Sequence, residues 1–92
     1  MSQKKTYKDI YQSLPEQLAA HYPDLNFENH CYLRIALDNT LQAKWDTKIS
    51  RPAYKHLTEK QIISVREFLQ AYLNNRVLLL RHNENSLLWR KK

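Results

Sequence analysis

The sequence predicts an all-α fold: a single small domain of four or five helices packed around a central helix at about residues 30–46. The chain has 92 residues, which is the size of one domain. It contains no glycine, so the tight β-hairpin turns that need positive φ angles are disfavoured. The segment HCYLRIALDNTLQAKWD, residues 30–46, carries apolar residues on nearly every side of a helix. That pattern is typical of a helix buried by neighbours on several sides.

The first third of the chain predicts two short helices after a frayed end at residues 1–6. Thr6 is a candidate N-cap for a helix at 7–14, in which apolar residues recur at i, i+3, i+4 and i+7. Pro15 is expected to open a second helix at 16–21, because proline is favoured in the first helical turn. Three residues ahead of the central helix are candidates for its N-cap: Asn29, Asn26 and Asp24.

A capping box gives the clearest local signal, after an irregular connection at 47–57. Thr58 is the predicted N-cap, and Gln61 lies at the third helical position, from which its side chain can return a hydrogen bond. The helix is expected to run to about Leu73. Its predicted inward residues are Ile62, Val65, Leu69 and Tyr72, with Phe68 alongside.

The last predicted helix runs from Arg76 to about Arg90, and Asn75 is its candidate N-cap. Apolar spacing predicts that four residues face the core: Val77, Leu80, Leu87 and Leu88. Glu84 falls on that same side, where a charge does not fit a plain core stripe. The polar residues around it would allow a kink or break near 82–85.

The residue inventory excludes several function classes. A Rossmann fingerprint and a Walker A loop both need glycine. The single cysteine, Cys31, cannot form an intrachain disulfide or a cysteine-based zinc site. The first fifteen residues have no apolar run of the signal-peptide type, and the longest apolar run, at 77–80, is far too short to span a membrane. We therefore expect a cytoplasmic protein without a membrane segment.

Charge is distributed unevenly along the chain, whose formal net charge is +6. Nine of the fifteen Lys and Arg residues follow position 50, but only three of the nine acidic residues do. Such asymmetry favours an anionic partner for the second half, either nucleic acid or another polyanion. A surface charge that serves only solubility is the alternative.

One candidate site lies on the central helix. His30, Arg34 and Asp38 follow one another at i, i+4 and i+8 and so share a side of the helix. Asp38 could orient Arg34 or His30 towards an anionic ligand or a partner carboxylate. The alternative is an ordinary ion pair between Arg34 and Asp38, which would fix helix register if it were buried.

A second candidate site is a basic-aromatic surface, since Lys and Arg bind phosphates and aromatic rings stack on bases. Its central residues are Lys44, Trp45, Lys48, Arg51, Tyr54, Lys55 and His56, joined by Trp89, Arg90, Lys91 and Lys92. The alternative is that the cations complement helix C-termini and the tryptophans belong to the core.

The residue types and their spacing give little support for catalysis or metal binding. Cys31 lies in an apolar helix and diverges by about 100° from its neighbour His30, so the two do not form a catalytic dyad. The four histidines have no spacing typical of metal ligands. We expect no catalytic residue, no metal and no cofactor.

The stretches HCYLRIALDN, AKWD, RPAYKHLTEKQ and NENSLLWRKK resemble a group of short, largely uncharacterised bacterial proteins, over roughly residues 30–92. Members of that group often carry a label linking them to GNAT-type N-acetyltransferases. Membership in the acetyltransferase family would imply a mixed α/β sheet and a glycine-containing pyrophosphate loop, and this sequence has no glycine. The resemblance implies instead a binding surface at the matching positions: His30, Arg34, Asp38, Asn39, Trp45, Pro52, Tyr54, Ser86, Trp89 and Arg90.

The sequence therefore favours a non-enzymatic binding or regulatory module that contacts an anionic partner, with nucleic acid as the first candidate. A protein–protein adaptor or inhibitor with Tyr and Trp anchors is the rival hypothesis. An acetyltransferase-related enzyme is the third.

Overall fold

The computed structural model describes residues 8–91, and helices form the framework of that part of the chain. A π-helical segment, Asp9–Ser13, leads into four α-helices: α1 (Leu14–His21), α2 (Asn29–Leu41), α3 (Glu59–Asn74) and α4 (Arg76–Arg90). Short 3₁₀ turns lie at Pro23–Leu25, Trp45–Thr47 and Ala53–Lys55. No β-strand occurs within residues 8–91, and the predicted all-α small domain of four or five helices is confirmed. Within the same range, no helix combines the length and the apolar character needed to cross a membrane.

Helix α2 is the central element, as predicted. It contacts α1, α3 and α4. Tyr32, Ile35, Ala36 and Leu37 on this helix are each at most 2% exposed. Apolar side chains cover most of its circumference, so neighbours on three sides can bury it.

The two predicted caps after residue 57 are confirmed. The Thr58 hydroxyl accepts the Gln61 backbone N–H at 3.2 Å, and the Gln61 side chain accepts the Thr58 N–H at 2.8 Å. Asn75 Oδ1 accepts the Leu78 N–H at 3.0 Å and opens α4. The cap predicted for α2 is wrong: Glu28 holds that position without a side-chain hydrogen bond, and Asn29 is already helical.

Pro15 lies in the first turn of α1, as predicted, but the chain does not separate into two helices there, because the π-helical segment runs directly into α1. The Leu14 N–H bonds to the Asp9 carbonyl in the wider π-helical pattern, and the α-helix continues from there to His21. Proline has no N–H to donate, and a widened turn just before it accommodates that loss without ending the helix. The predicted cap Thr6 lies outside the described residues.

Helix α2 ends at Leu41, about one turn before the predicted end at 46. Gln42 takes a left-handed conformation with φ of 54°, and the Ala43 N–H returns to the Asp38 carbonyl at 3.1 Å. This closure resembles a helix end at glycine, but glutamine gives no sequence signal for it. Trp45 therefore lies on a separate turn beyond the helix.

Helix α4 is continuous, and it packs against the core with the opposite face from the predicted one. Leu79 and Ser86 are its buried residues, whereas Glu84 is exposed. The four residues predicted to face the core are exposed instead: Val77, Leu80, Leu87 and Leu88. The apolar spacing predicted the wrong buried face because α4 packs against α2 through polar side chains.

Candidate functional site

The Asp38 carboxylate is the centre of a buried polar network between α2 and α4. Arg90 donates to both of its oxygens, from Nε to Oδ2 at 2.7 Å and from Nη2 to Oδ1 at 3.2 Å. The Ser86 hydroxyl donates to Oδ2 at 2.6 Å, and the Trp45 backbone N–H donates to Oδ1 at 2.9 Å. Asp38 is fully buried, so these four bonds replace the water that its charge would otherwise need.

Arg34 does not pair with Asp38, so the expected ion pair within α2 is wrong. Arg34 Nη1 donates to the Ser86 hydroxyl at 2.9 Å, and Nη2 donates to Asn83 Oδ1 at 3.0 Å. Both acceptors are neutral. Within residues 8–91, no Asp or Glu oxygen lies within 4.0 Å of the Arg34 guanidinium nitrogens. Arg90 forms the ion pair with Asp38, and Arg34 reaches that carboxylate only through the Ser86 hydroxyl, so two arginines and one carboxylate keep a net positive charge.

Asn39 extends the polar contact between α2 and α4. Its side-chain nitrogen donates to the Ile35 carbonyl at 2.8 Å and to the His82 carbonyl at 2.9 Å, and its oxygen accepts from Asn85 at 3.2 Å. The His82 ring in turn lies 2.7 Å from the Tyr72 hydroxyl through Nδ1. These bonds hold α4 in a defined register on α2 and thereby position Arg34 and Arg90.

A cleft with a volume of about 420 Å³ opens above this network. That volume falls within the usual range of small-ligand sites. Its walls come from the π-helical segment, α2, the loop at 45–54 and the end of α4. The lining residues are Tyr11, His30, Leu33, Arg34, Leu37, Trp45, Arg51, Pro52, Ala53, Tyr54 and Arg90.

Arg51 forms one wall of the cleft together with Trp45. Its guanidinium carbon lies 5.0 Å from the centre of the Trp45 ring, a cation–π distance, and its Nη2 donates to Asp46 at 2.7 Å. The hydrogen bond from Arg51 lowers the pKa of the Asp46 carboxyl. Two of the three arginines in the cleft, Arg51 and Arg90, thus have a carboxylate partner. The net positive charge at the cleft comes from Arg34.

Six residues of the two predicted sites line the cleft: His30, Arg34, Trp45, Arg51, Tyr54 and Arg90. Asp38 lies beneath it, bonded to Arg90 and to the Trp45 backbone. The remaining predicted residues with a described structure do not line it: Lys44, Lys48, Lys55, His56, Trp89 and Lys91. Of these, Lys48 is exposed on the loop that supplies one wall, and Lys55 and His56 are exposed directly after it.

Sequence reasoning missed the roles of Asn83 and Ser86. Both lie in the polar middle of α4, where the sequence would allow a kink or break. The same polar run on a continuous helix is typical of a polar packing face, but the spacing does not identify its partner, which is Arg34.

No protein-family model matches the chain, and neither curated proteins nor solved structures show a significant similarity to it. The resemblance to the short bacterial group therefore stays a prediction. Among residues 8–91, no group of three or more His, Cys, Asp or Glu side chains is placed to hold a metal ion.

Proposed function

We propose that this protein is a non-enzymatic binding module for an anionic partner, with nucleic acid as the first candidate, and that the cleft above Asp38 is its contact site. The proposal rests on one observation, which is the position of the Arg34 guanidinium and its contacts. Its guanidinium is held in place by Ser86 and Asn83, lines the cleft, and has no carboxylate partner within residues 8–91. A fixed cation of this kind is preorganised for an incoming phosphate or carboxylate oxygen.

Aromatic side chains beside this charge favour a nucleic acid over a simple inorganic anion. Tyr54 lines the cleft and is 42% exposed, and Trp45 lines it with Arg51 lying over its ring. Bases stack on aromatic and guanidinium planes irrespective of sequence, which suits an unpaired strand with accessible base faces.

Cations next to the cleft supply the longer-range attraction. Lys48, Lys55 and His56 are exposed on the neighbouring loop, and the chain as a whole carries a net charge of +6. Phosphate contacts with such side chains position a strand without reading its sequence. In this proposal, the cations of the loop attract the phosphate backbone of the strand, and the cleft binds one of its nucleotides.

Binding of the purified protein to labelled single-stranded and duplex oligonucleotides tests this proposal, with fluorescence anisotropy measured from low to high salt. We expect binding at low salt, a steep loss of affinity as salt rises, and a preference for single strands. The variant Arg51→Glu/Lys55→Glu should abolish binding. Lys55→Glu and Lys60→Glu make a matched pair, because both lysines are exposed and both changes alter net charge equally. Only Lys55→Glu should weaken binding, and absence of binding at low salt would end the proposal.

A further inference from the structure

Helix α4 turns an apolar face away from the core. Val77, Leu80, Leu87 and Leu88 are between 36% and 67% exposed, while the opposite side of the helix makes the polar contacts with α2. These four aliphatic side chains fall within one side of the helix, about 100° wide. A cluster of exposed aliphatic residues on a small protein marks a surface that another molecule covers.

Two opposite charges belong to this side of the helix, with Glu84 inside the apolar face and Arg81 at its edge. Arg81 and Glu84 are exposed, and neither forms an ion pair with a charged group of residues 8–91. They lie one helical turn apart, between the apolar residues at the two ends of the face. The face therefore has an apolar–charged–apolar order along the helix axis.

We propose that this outer face of α4 binds the same face of a second copy of the chain, with the two helices antiparallel about a two-fold axis between residues 82 and 83. In that register, Val77 lies level with Leu88 of the second copy. Arg81 lies level with Glu84 of the second copy, so that two reciprocal ion pairs form at the centre. Leu80 lies within about 3 Å, along the helix axis, of the level of Leu87 of the second copy, given a rise of 1.5 Å per residue.

Self-complementarity is the reason for choosing a second copy as the occupant. A two-fold axis repeats every contact, so a face forms a symmetric dimer only if its own residues match after the rotation. In this single register, apolar residues of one copy lie opposite apolar residues of the other, and positive charges lie opposite negative charges. A polyanion or an anionic lipid surface would gain no net attraction from this face, because the charges of Arg81 and Glu84 at its centre cancel.

The size of the face predicts weak and reversible association. Helix α4 has fifteen residues, which gives a length of about 22 Å. A single pair of helices of this length buries an area at the low end of specific interfaces. We therefore expect a dimer that dissociates in the micromolar range.

Sedimentation velocity across protein concentrations, from low micromolar to near millimolar, tests for the dimer. Leu88→Lys should weaken dimerisation by at least about tenfold, because it buries an unpaired charge against an apolar partner. Ile63→Lys is the matched control: Ile63 is 50% exposed on α3, so the same substitution there should leave dimerisation unchanged. Circular dichroism checks that both variants remain helical.

A charge exchange tests the antiparallel register. Arg81→Glu and Glu84→Arg, made singly, place like charges level with each other and should each weaken the dimer by about tenfold or more. The double variant restores opposite charges in reversed order and should recover most of the affinity. A monomer at every concentration would overturn the proposal, as would a dimer that Leu88→Lys leaves intact. Failure of the double variant to recover would overturn the register.

Discussion

Asp38 in the middle of the chain and Arg90 near its end lie 52 positions apart, and their side chains form an ion pair with two hydrogen bonds. The Asp38 carboxylate is fully buried, whereas the Arg90 side chain is 26% exposed. The pair joins α2 to α4 at the floor of the cleft. It also takes the carboxylate that the sequence alone would assign to Arg34, and so leaves the Arg34 charge available to a ligand.

Replacement of Asp38 should cost much of the stability of the fold. In Asp38→Ala, Arg90 loses its carboxylate, and the Ser86 hydroxyl and the Trp45 N–H lose their acceptor. Removing one partner of a buried ion pair costs about 3–5 kcal/mol in the free energy of unfolding. Urea denaturation followed by circular dichroism measures the change. Asp46→Ala is the control, because its partner Arg51 is exposed, and a loss below about 1 kcal/mol is expected there. Equal losses in both variants would contradict the structural role of Asp38.

Replacement of Arg34 should weaken binding to nucleic acid and reduce its dependence on salt. Arg34→Gln removes a charge that has no direct ion-pair partner and keeps a polar side chain near Ser86 and Asn83. Each phosphate contact contributes about 0.7 to the slope of log affinity against log salt for single strands. We therefore expect the slope to fall by about that amount. Lys60→Gln, an exposed change on α3, should leave the slope nearly unchanged. A slope that falls equally in both variants would assign the effect to net charge and not to the cleft.

Removal of the Tyr32 hydroxyl should stabilise the protein. Tyr32 is fully buried, and its hydroxyl has no hydrogen-bond partner within residues 8–91. Burial also raises the pKa of this phenol. An unsatisfied buried hydroxyl costs about 1–3 kcal/mol, so Tyr32→Phe should raise the free energy of unfolding by about 1 kcal/mol. Tyr72→Phe is the contrasting variant and should lower it, because the Tyr72 hydroxyl bonds to His82. Thermal and urea denaturation distinguish the two, and destabilisation by Tyr32→Phe would show that its hydroxyl is satisfied.

Stability should fall as the pH drops from about 7 into the acidic range because of His82. Burial lowers the pKa of this imidazole, with a smaller contribution from the positive charge of Arg81. The ring also packs against Phe68 and bonds to the Tyr72 hydroxyl. Since its pKa is lower in the folded than in the unfolded state, the unfolded state binds more protons as pH falls. The contribution to stability is therefore complete above the ordinary pKa of 6.5 and is lost as pH falls through the folded value.

Urea midpoints measured across this pH range test the role of His82. The variant His82→Gln should show a flatter dependence on pH than the wild type. The carboxyls of Asp24 and Asp46, whose pKa values are lowered by hydrogen bonds from Arg76 and Arg51, act in a separate window. Their contributions are complete above their ordinary pKa of 3.8 and disappear only in stronger acid. An unchanged pH dependence in His82→Gln would rule out this imidazole as the titrating group.

Local chemistry made several features of the fold predictable. The capping box at Thr58 and the cap at Asn75 involve residues within three positions of each other, so the sequence contains both partners of each hydrogen bond. The buried residues Val65, Leu69 and Tyr72 of α3 were also predictable, because their spacing alone identifies the buried side of the helix. The left-handed Gln42 is the exception, because glutamine is not a residue typical of that conformation.

The orientation of α4 shows where such reasoning fails. Apolar spacing assumes that the core is apolar, and it therefore placed Leu87 and Leu88 inside. Arg34 and Asp38 on α2 bond to Asn83 and Ser86, Asn39 bonds to Asn85, and these contacts bury the opposite side of the helix. Pairing between residues about fifty positions apart cannot be inferred from the spacing within either helix.

By itself, the sequence determined the all-α class, the central place of α2, the starts of α3 and α4, and most of the residue types that line the cleft. These follow from composition, periodicity and capping, which act over a few residues. Only the tertiary structure decided that Asp38 pairs with Arg90, that Arg34 keeps its charge, and that α4 turns its leucines outward. The physical reason is that a buried carboxylate binds the best set of donors within reach, and which donors come within reach depends on how the helices pack.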